Sequence, residues 1–339
     1  MADHRAPVRE HADGAADVTA ADGADGRRSW RRFDIQWIRR NGVYVALAAL
    51  IMVNIVITPN FVNVATLRLQ LIQVVPVLIV ALGMAVVIAT KGIDLSVGAV
   101  MALAAAVIPL YIGYGAALAI LVALLAGALS GAVAGSLVAR IGVQPIVATL
   151  GLMVAGRGLA NLLGGEIKSI RDPGMRALGT GSVLGVPYVV LVAIVVTVLV
   201  WFLVARTTLG RQIVAIGGNA RASVLAGLPV GRVLLTAYVV CALLAAVAGV
   251  LLTARSQASD PTRLGLLMEL SAITAVVIGG TPLTGGQIRV AGTVAGALLL
   301  QLITATMIAH DIPDSVAQMA QAVIVVGAVY LQLGRRGRR

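Results

Sequence analysis

The sequence has little charge, few aromatic residues and almost no cysteine. Only 12% of its 339 residues are charged and 4% are aromatic, whereas 59% are apolar. A soluble domain carries about a quarter charged residues, so this chain has too few polar side chains to cover a water-facing surface. Its bulk of Ala, Val, Leu, Ile and Gly is typical of packed membrane helices. The composition therefore excludes a soluble enzyme and predicts an all-α integral membrane protein.

Groups that carry catalysis or bind metals are also scarce. The single Cys241 stands inside an apolar run and cannot form an intrachain disulfide. His4 and His11 lie in the N-terminal tail, far along the chain from His310, so the histidines have no ligand spacing. The chain has no G-x-x-x-x-G-K-[ST] phosphate loop, G-x-S-x-G elbow or H-E-x-x-H pair. We therefore expect no metal site, no bound cofactor and no enzymatic activity in this chain.

The net charge of +12 lies mainly at the two ends of the apolar region. Basic residues that flank apolar spans satisfy the positive-inside rule and lie favourably against anionic lipid. We therefore interpret this charge as a bilayer signal and expect no binding of nucleic acid. The arginines concerned are Arg27, Arg28, Arg31, Arg32, Arg39 and Arg40 before the first run, and Arg335, Arg336, Arg338 and Arg339 after the last.

The composition divides the chain into three regions. Residues 1–29 are rich in Ala, Asp and Gly, which predicts disorder, and with the basic flank they form a tail over 1–40. Residues 41–334 form the transmembrane domain, and 335–339 form a second basic tail.

The transmembrane domain contains nine stretches free of Asp, Glu, Lys and Arg. A span needs about 20 residues, so the 45-residue stretch 95–139 must hold two helices, with a turn near 109–115. The stretch 141–156 is short, but it can continue through Arg157 to Leu163. We therefore predict ten spans, although segments 91–94 and 280–289 could be loops or re-entrant turns. The nine stretches are 41–67, 69–90, 95–139, 141–156, 177–205, 233–254, 270–288, 290–309 and 315–334.

Ten spans place both termini on the same side of the membrane. With both termini in the cytoplasm, 19 of the 26 basic residues lie inside and six lie outside, and Arg157 is within a span. This bias predicts cytoplasmic termini.

Glycine spacing indicates tight helix packing. Gly127, Gly131 and Gly135 share one helix face, and Gly292 and Gly296 repeat the spacing. Small residues at this interval let helix backbones approach closely, within the bundle or at a subunit interface. We find no strong internal repeat in the sequence.

The loop 206–232 carries four arginines between two spans, which predicts a cytoplasmic location. Asn219 is a good N-cap for a helix over 220–226, Gly227 suits the position after its end, and Pro229 prevents continuation. A short capped helix at the membrane face could bind a soluble partner or simply lie at the interface. The residues alone leave both readings open.

Two further features lie at or within the membrane. The segment 90–98 reads as a turn in which Asp94 or Ser96 caps the next helix, although a buried Asp94 would be a functional candidate. Arg157 is the one charge placed inside a span, with Asn161 as a possible partner. Arg157 could anchor the structure or line a pathway.

Four sequence runs together resemble the permease subunits of bacterial ABC importers for monosaccharides, the ribose/xylose/galactose-type family. The similarity extends from about residue 43 to 332, and around Met101 and 153–158 it is greatest to the galactofuranose-type permeases. Gln287 and Ile288 depart from the Arg-Gly common in the family, and the acidic N-terminal tail lies outside the pattern. The matching runs are 87–98 (VIATKGIDLSVG), 144–159 (QPIVATLGLMVAGRGL), 208–228 (TLGRQIVAIGGNARASVLAGL) and 269–286 (ELSAITAVVIGGTPLTGG).

This resemblance implies a type II-like permease core of ten helices in the bacterial inner membrane. It also implies three partners: a second permease, cytoplasmic ATPase subunits that use ATP and Mg, and an extracytoplasmic sugar-binding protein. By the resemblance, the segment 217–227 is the coupling helix that contacts the ATPase. The implied coupling residues are Gly217, Gly218, Asn219, Ala220, Arg221, Ala222 and Gly227. The implied motif and pathway residues are Gly92, Asp94, Ser96, Gly98, Thr149, Arg157, Asn161, Glu269, Gly279 and Gly280.

The polar residues of the spans agree with transport of a neutral solute, because nearly all of them are uncharged. The alternative is an ion-coupled secondary transporter of a small neutral solute, which needs a buried Asp, Glu or His for its driving ion. Only Asp94, Arg157 and Glu269 come near membrane depth, and their positions do not predict a proton relay. The uncharged residues are Gln70, Gln73, Thr149, Asn161, Gln301, Thr304, Gln318 and Gln321.

Overall fold

A computed structural model of the chain describes residues 26–313, 315, 316, 319, 322 and 323. The chain divides into two units, 1–42 and 43–339, and the described part of the first unit is helical. That helix begins at Gly26, within the segment 1–29 for which disorder is predicted. Residues 1–25 and the C-terminal basic tail, 335–339, lie outside the described residues.

The described residues form twelve α-helices and four two-residue strands. Strand β1 pairs antiparallel with β4, and β2 pairs with β3. The helices are α1 Gly26–Ile57, α2 Val64–Ala89, α3 Val97–Tyr111, α4 Ala116–Ser136, α5 Pro145–Gly164, α6 Pro173–Thr180, α7 Tyr188–Arg206, α8 Thr208–Gly218, α9 Ala220–Leu225, α10 Val230–Ser256, α11 Met268–Ile278 and α12 Val290–Ala309. The strands are β1 Lys168–Ser169, β2 Ser182–Val183, β3 Val186–Pro187 and β4 Ala258–Ser259.

Seven helical segments of the described residues are long and apolar enough to cross a membrane: α2, α3 with its 3-10 extension to Tyr114, α4 with its extension to Ile141, α5, α7, α10 and α12. Two shorter apolar helices are Asn41–Ile57 and α11. The last predicted span, 315–334, lies largely outside the described residues, so the structure does not establish the count of ten. The all-α membrane fold is confirmed.

Two predicted helix boundaries are confirmed. The stretch 95–139 divides at a 3-10 turn, Ile112–Tyr114, followed by Gly115 at φ 100°. Helix α5 continues through Arg157 and ends at Gly164. A left-handed φ is accessible to glycine without a Cβ clash, which explains why the chain reverses at Gly115.

Two predicted spans are too long. The stretch 270–288 holds only the 11-residue α11, about 16 Å of helix and half the width of a bilayer. Beyond it, Pro282 and glycines at positive φ, among them Gly285 and Gly286, turn the chain. The stretch 177–205 also contains more than a span, because α6 and the β2–β3 hairpin precede α7.

The helices of the second unit form two halves of similar construction. In each half a long helix, α2 or α10, leads through an irregular linker, 90–96 or 257–267, to a shortened helix, α3 or α11. The two long helices pack together, and each contacts the shortened helix of the other half. Four crossings separate α2 from α10, so the two halves run in opposite directions. The order of long helix, linker and shortened helix is thus an inverted repeat, which was not predicted from the sequence.

Glycine faces close the packing of each half. A Cβ at Gly131 of α4 would lie 2.7 Å from the Tyr238 carbonyl oxygen of α10. A Cβ at Gly292 of α12 would lie 2.0 Å from the Gly279 carbonyl oxygen at the end of α11. Both approaches are possible only without a side chain, so the predicted packing role of these glycines is confirmed within the bundle.

Candidate functional site

The loop between α7 and α10 forms two short helices at one face of the bundle. Thr207 caps α8 by accepting a hydrogen bond from the Gly210 N–H, and Asn219 caps α9 by accepting one from the Ala222 N–H at 3.0 Å. Gly227 follows the end of α9 at φ 76°. The predicted capped helix is therefore confirmed, with its last residue at Leu225. Helix α8, Thr208–Gly218, was not predicted from the sequence.

The outer face of α9 is apolar as well as basic. Leu225 is 83% exposed and Val224 is 59% exposed, whereas Ser223 faces the bundle and is buried. Arg221 and Ala222 are also exposed. Exposed apolar side chains beside a cation, on a helix fixed at both ends, favour a surface that contacts another molecule. We call residues Arg221, Ala222, Val224 and Leu225 the coupling surface.

The linker between α2 and α3 is a turn, as predicted, but the expected side-chain cap of α3 is not formed, because Asp94 and Ser96 bond to each other and not to the first turn of the helix. Asp94 is fully buried, and its Oδ1 accepts hydrogen bonds from the Ser96 N–H at 2.9 Å and the Ser96 hydroxyl at 2.6 Å. The Thr149 hydroxyl of α5 donates to the Ile93 carbonyl at 3.2 Å. Cys241 of α10 also lies against the Asp94 carboxylate. The turn is therefore held by two neighbouring helices.

Arg157 is bonded to backbone carbonyls and not to Asn161, the partner that we expected. Its Nη1 donates to the Leu264 oxygen at 2.9 Å, and its Nη2 donates to the Gly265 oxygen at 2.7 Å. The guanidinium fork thus binds two consecutive residues of the 257–267 linker, about 18 Å along α5 from its first residue. Asn161 is exposed on the same helix.

Three predicted residues come together where the two shortened helices begin. A Cβ at Gly98 would lie 2.3 Å from the Gly265 oxygen, 2.6 Å from Glu269 Oε2 and 3.2 Å from Arg157 Nη2. Gly265 itself has φ 74°. We call Gly98, Arg157, Gly265 and Glu269 the crossing point. Gly265 was not predicted as a site residue. Its position four residues before Glu269, in the segment that leads into α11, could have indicated it.

The remaining motif glycines lie elsewhere and have packing or turn roles. A Cβ at Gly92 would meet the Tyr238 hydroxyl at 2.5 Å, and Gly279 contacts Gly292. Gly280 has φ 84° at the turn after α11. The predicted motif residues therefore do not form a single cluster.

Three of the predicted uncharged polar residues form an amide cluster. Gln301 of α12 donates through Nε2 to the side-chain oxygens of Gln70 at 3.1 Å and Gln73 at 2.8 Å, both on α2. The three side chains are half-buried. Gln318 and Gln321 lie outside the described residues.

The face opposite α9 carries α6 and the two strand pairs. Asp172 caps α6 by accepting from the Met175 N–H at 2.9 Å. Asp260 accepts hydrogen bonds from Thr262, and the Thr262 hydroxyl lowers the pKa of Asp260 below its usual value. Lys168, Arg171 and Arg263 are exposed at this face. Across the part of the chain that the structure describes, no three His, Cys, Asp or Glu side chains are grouped for a metal ion.

Comparison with known proteins identifies relatives along nearly the full chain. The profile of a family described as branched-chain amino acid transport system / permease component matches residues 67–329. The galactofuranose transporter permease protein YtfT of Escherichia coli K12 is 38% identical, over 90% of this chain and 92% of that protein. The ribose import permease protein RbsC of the same organism is 36% identical, over 88% and 95%.

A third relative is the L-arabinose ABC transporter permease protein AraH of Azospirillum brasilense. It is 33% identical, over 90% of both chains. No solved structure matches this chain.

Proposed function

The chain belongs to the family of branched-chain amino acid transport system permease components, and we propose that it is the membrane-spanning subunit of an ATP-driven importer of a neutral monosaccharide. The resemblance to monosaccharide ABC importer permeases is confirmed by the relatives of this chain. Their names, which specify galactofuranose, ribose and L-arabinose, support a sugar as its substrate. The uncharged amides of Gln70, Gln73 and Gln301 agree with a neutral solute.

The observation that carries this proposal is the coupling surface. An α-helix of six residues is too short to be stable alone, yet α9 is fixed by the Asn219 cap and by the buried Ser223. Its exposed Val224 and Leu225 lie beside Arg221. This surface binds an ATPase subunit, which hydrolyses ATP with Mg, while the permease itself binds neither.

The basic residues support an orientation in the bacterial inner membrane with α9 and both termini in the cytoplasm. The α6 face then receives the sugar from an extracytoplasmic binding protein. A second permease, either a copy of this chain or a paralogue, completes the pathway. In this arrangement closure of the ATPases moves the coupling surface and rocks the helices between two access states.

Ion-coupled secondary transport is the competing function, and Asp94 and Glu269 are the observations that favour it. Both are acidic groups inside the bundle. Asp94, however, accepts two hydrogen bonds from Ser96, which hold the turn before α3. Glu269 faces the Arg157 guanidinium at the crossing point. Neither arrangement provides the proton relay that ion coupling requires.

Copurification from the native membrane tests the proposal. We expect the tagged chain to recover an ATPase, identified by mass, and to lose it when 217–227 is replaced by a flexible linker of equal length. The matched control replaces the β2–β3 hairpin, 182–187, on the opposite face and retains the ATPase. Size-exclusion profiles confirm that both variants are folded.

An absence of ATPase in the wild-type sample, under gentle detergent and with nucleotide trapping, would contradict the proposal. Uptake driven by an imposed proton gradient, and lost when Asp94 and Glu269 are neutralised, would then establish the competing function.

A further inference from the structure

Three backbone segments meet at the end of α8, just before the residues that begin α9. They are the end of α2 at Ala89, the end of α8 at Gly217 and the turn after α11 at Gly286. A Cβ at Gly217 would lie 1.7 Å from the Ala89 carbonyl oxygen and 2.6 Å from the Gly286 nitrogen. The Gly286 N–H donates to that same carbonyl at 2.9 Å. Three backbones therefore touch with no side chain between them, and we call this contact the backbone junction.

The exposed side chain of Lys91 contacts the same three segments. Lys91 follows α2 with φ 69°, and its Nζ donates to the Gly218 carbonyl at 3.3 Å. A cation at the C-terminal end of α8 interacts favourably with the helix dipole. The stem of Lys91 covers Gly285, where a Cβ would lie 2.5 Å from its Cγ. Lys91 thus connects the α2–α3 linker, α8 and the turn after α11.

The junction lies where both inverted halves reach the α9 face. In one half, Ala89 leads into the 90–96 linker and α3. In the other, Gly286 belongs to the turn that ends α11 and precedes α12. Helix α3 also touches the 257–267 linker that leads into α11, at the crossing point, through Gly98 and Gly265. The two halves are therefore joined both inside the bundle and at the end of α8.

Resting on the proposed function, we propose that the backbone junction transmits the displacement of α9 to both inverted halves at once. Gly217 and Lys91 are the positioning residues of this transmission. Flexible side chains could absorb a small displacement, whereas close-packed backbone atoms cannot move independently. A shift of α8 must move the Ala89 and Gly286 segments with it. The linker before α3 and the turn after α11 then respond together, rather than one after the other.

The decisive quantity is the amount of sugar imported per ATP hydrolysed. It is measured in proteoliposomes that contain the permease with its copurified ATPase and the binding protein. The probe is whichever of radiolabelled ribose, L-arabinose and galactofuranose the wild type imports. A positioning residue changes this ratio, whereas a residue that only docks the ATPase changes ATPase recovery and hydrolysis.

Gly217 is buried and is not one of the exposed residues of the coupling surface. We therefore expect Gly217→Ala to lower sugar import per ATP by at least about tenfold, measured on the complex that contains the ATPase. The matched control is Gly231→Ala in α10, whose added Cβ would meet only the Ala139 oxygen at 3.6 Å. This control should import sugar as the wild type does.

Lys91→Met tests the junction proposal if the Gly217→Ala variant does not fold. Lys91 is exposed, and methionine preserves the apolar stem against Gly285 while removing the bond to Gly218. We expect about a threefold to fivefold fall in sugar per ATP, the effect of one lost hydrogen bond. Lys91→Arg keeps a donor and should restore the ratio.

Wild-type ratios in both Gly217→Ala and Lys91→Met would overturn the junction proposal while leaving the importer proposal intact. Loss of ATPase binding in parallel with import would also overturn it, because the junction would then belong to docking. A wild-type chain that recovers no ATPase overturns the importer proposal itself.

Discussion

Gly98 and Gly265 pack backbone against backbone at the start of the two shortened helices. A Cβ on Gly98 would lie 2.3 Å from the Gly265 oxygen, and a Cβ on Gly265 would lie 2.4 Å from the Gly98 oxygen. The contact is therefore closed to any side chain from either direction. It fixes the point at which α3 and α11 begin.

Gly98→Ala should destabilise the permease by about 1–3 kcal/mol, since its methyl group must displace backbone as well as the Glu269 carboxylate. Thermal unfolding in detergent measures the effect. Gly151→Ala on α5 is the control, because its Cβ would have no neighbour within 4 Å. Equal unfolding temperatures for the two variants would show that the crossing point accepts a methyl group, which would contradict the prediction.

Arg157→Met should release the 257–267 linker. The substitution leaves the Leu264 and Gly265 carbonyls without their charged donor, which costs about 1.5–3 kcal/mol. We expect faster limited proteolysis within this linker and a lower unfolding temperature. The control Arg263→Met removes an exposed arginine from the same linker and should leave both measurements unchanged. Equal proteolysis rates for the two variants would contradict the anchoring role of Arg157.

Asn219→Ala should weaken ATPase binding by about fivefold, because loss of an N-cap costs about 1 kcal/mol of helix stability. Titration of the solubilised permease with its ATPase measures the affinity. Asn219→Asp keeps a capping oxygen and should bind as the wild type does.

Asn63→Ala serves as the control for the Asn219 variants. Asn63 caps α2 by a similar bond to the Ala65 N–H at 2.9 Å. If this variant weakened ATPase binding as much as Asn219→Ala, the effect would be general helix destabilisation rather than a property of α9.

The amide cluster yields an additivity prediction. Gln301 bonds to both Gln70 and Gln73, and such bonds in membrane proteins contribute about 0.6–1.7 kcal/mol. Gln301→Leu should therefore destabilise the permease more than Gln70→Leu does. The double variant should cost less free energy than the sum of the two single variants, because each single substitution already removes the bond between Gln70 and Gln301. A double-mutant cycle of equilibrium unfolding measures the coupling. Strict additivity would show that the bonds carry no free energy.

Sequence patterns predicted the parts of the fold that depend on local chemistry. The Asn219 cap, the reversal at Gly115 and the turn at Asp94 each depend on residues a few positions apart. Arg157 was recognised as a charge within a span, but its partners were not, because Leu264 and Gly265 lie more than a hundred residues away and offer only backbone oxygens. Every residue has a backbone carbonyl, so the sequence does not show which of them accepts a hydrogen bond.

Two larger features of the fold were also not predicted from the sequence, because each depends on how the chain is arranged in three dimensions. The apolar stretch 270–288 satisfies the length rule, although a turn consumes its second half. The inverted repeat depends on matched helix lengths and contacts, which dissimilar apolar sequences can satisfy equally well. Gly217 looked like part of a capped loop, and its contact with Ala89 and Gly286 appeared only in three dimensions.

The brevity of α11 has a consequence for biogenesis. A helix of eleven residues is too short to be recognised as a span during membrane insertion, and the linker before it includes Asp260 and Arg263. Helix α11 packs against α2 and α12, so its place in the bilayer depends on helices synthesised both before and after it. This part of the chain therefore takes its final place only after the neighbours on both sides have been inserted.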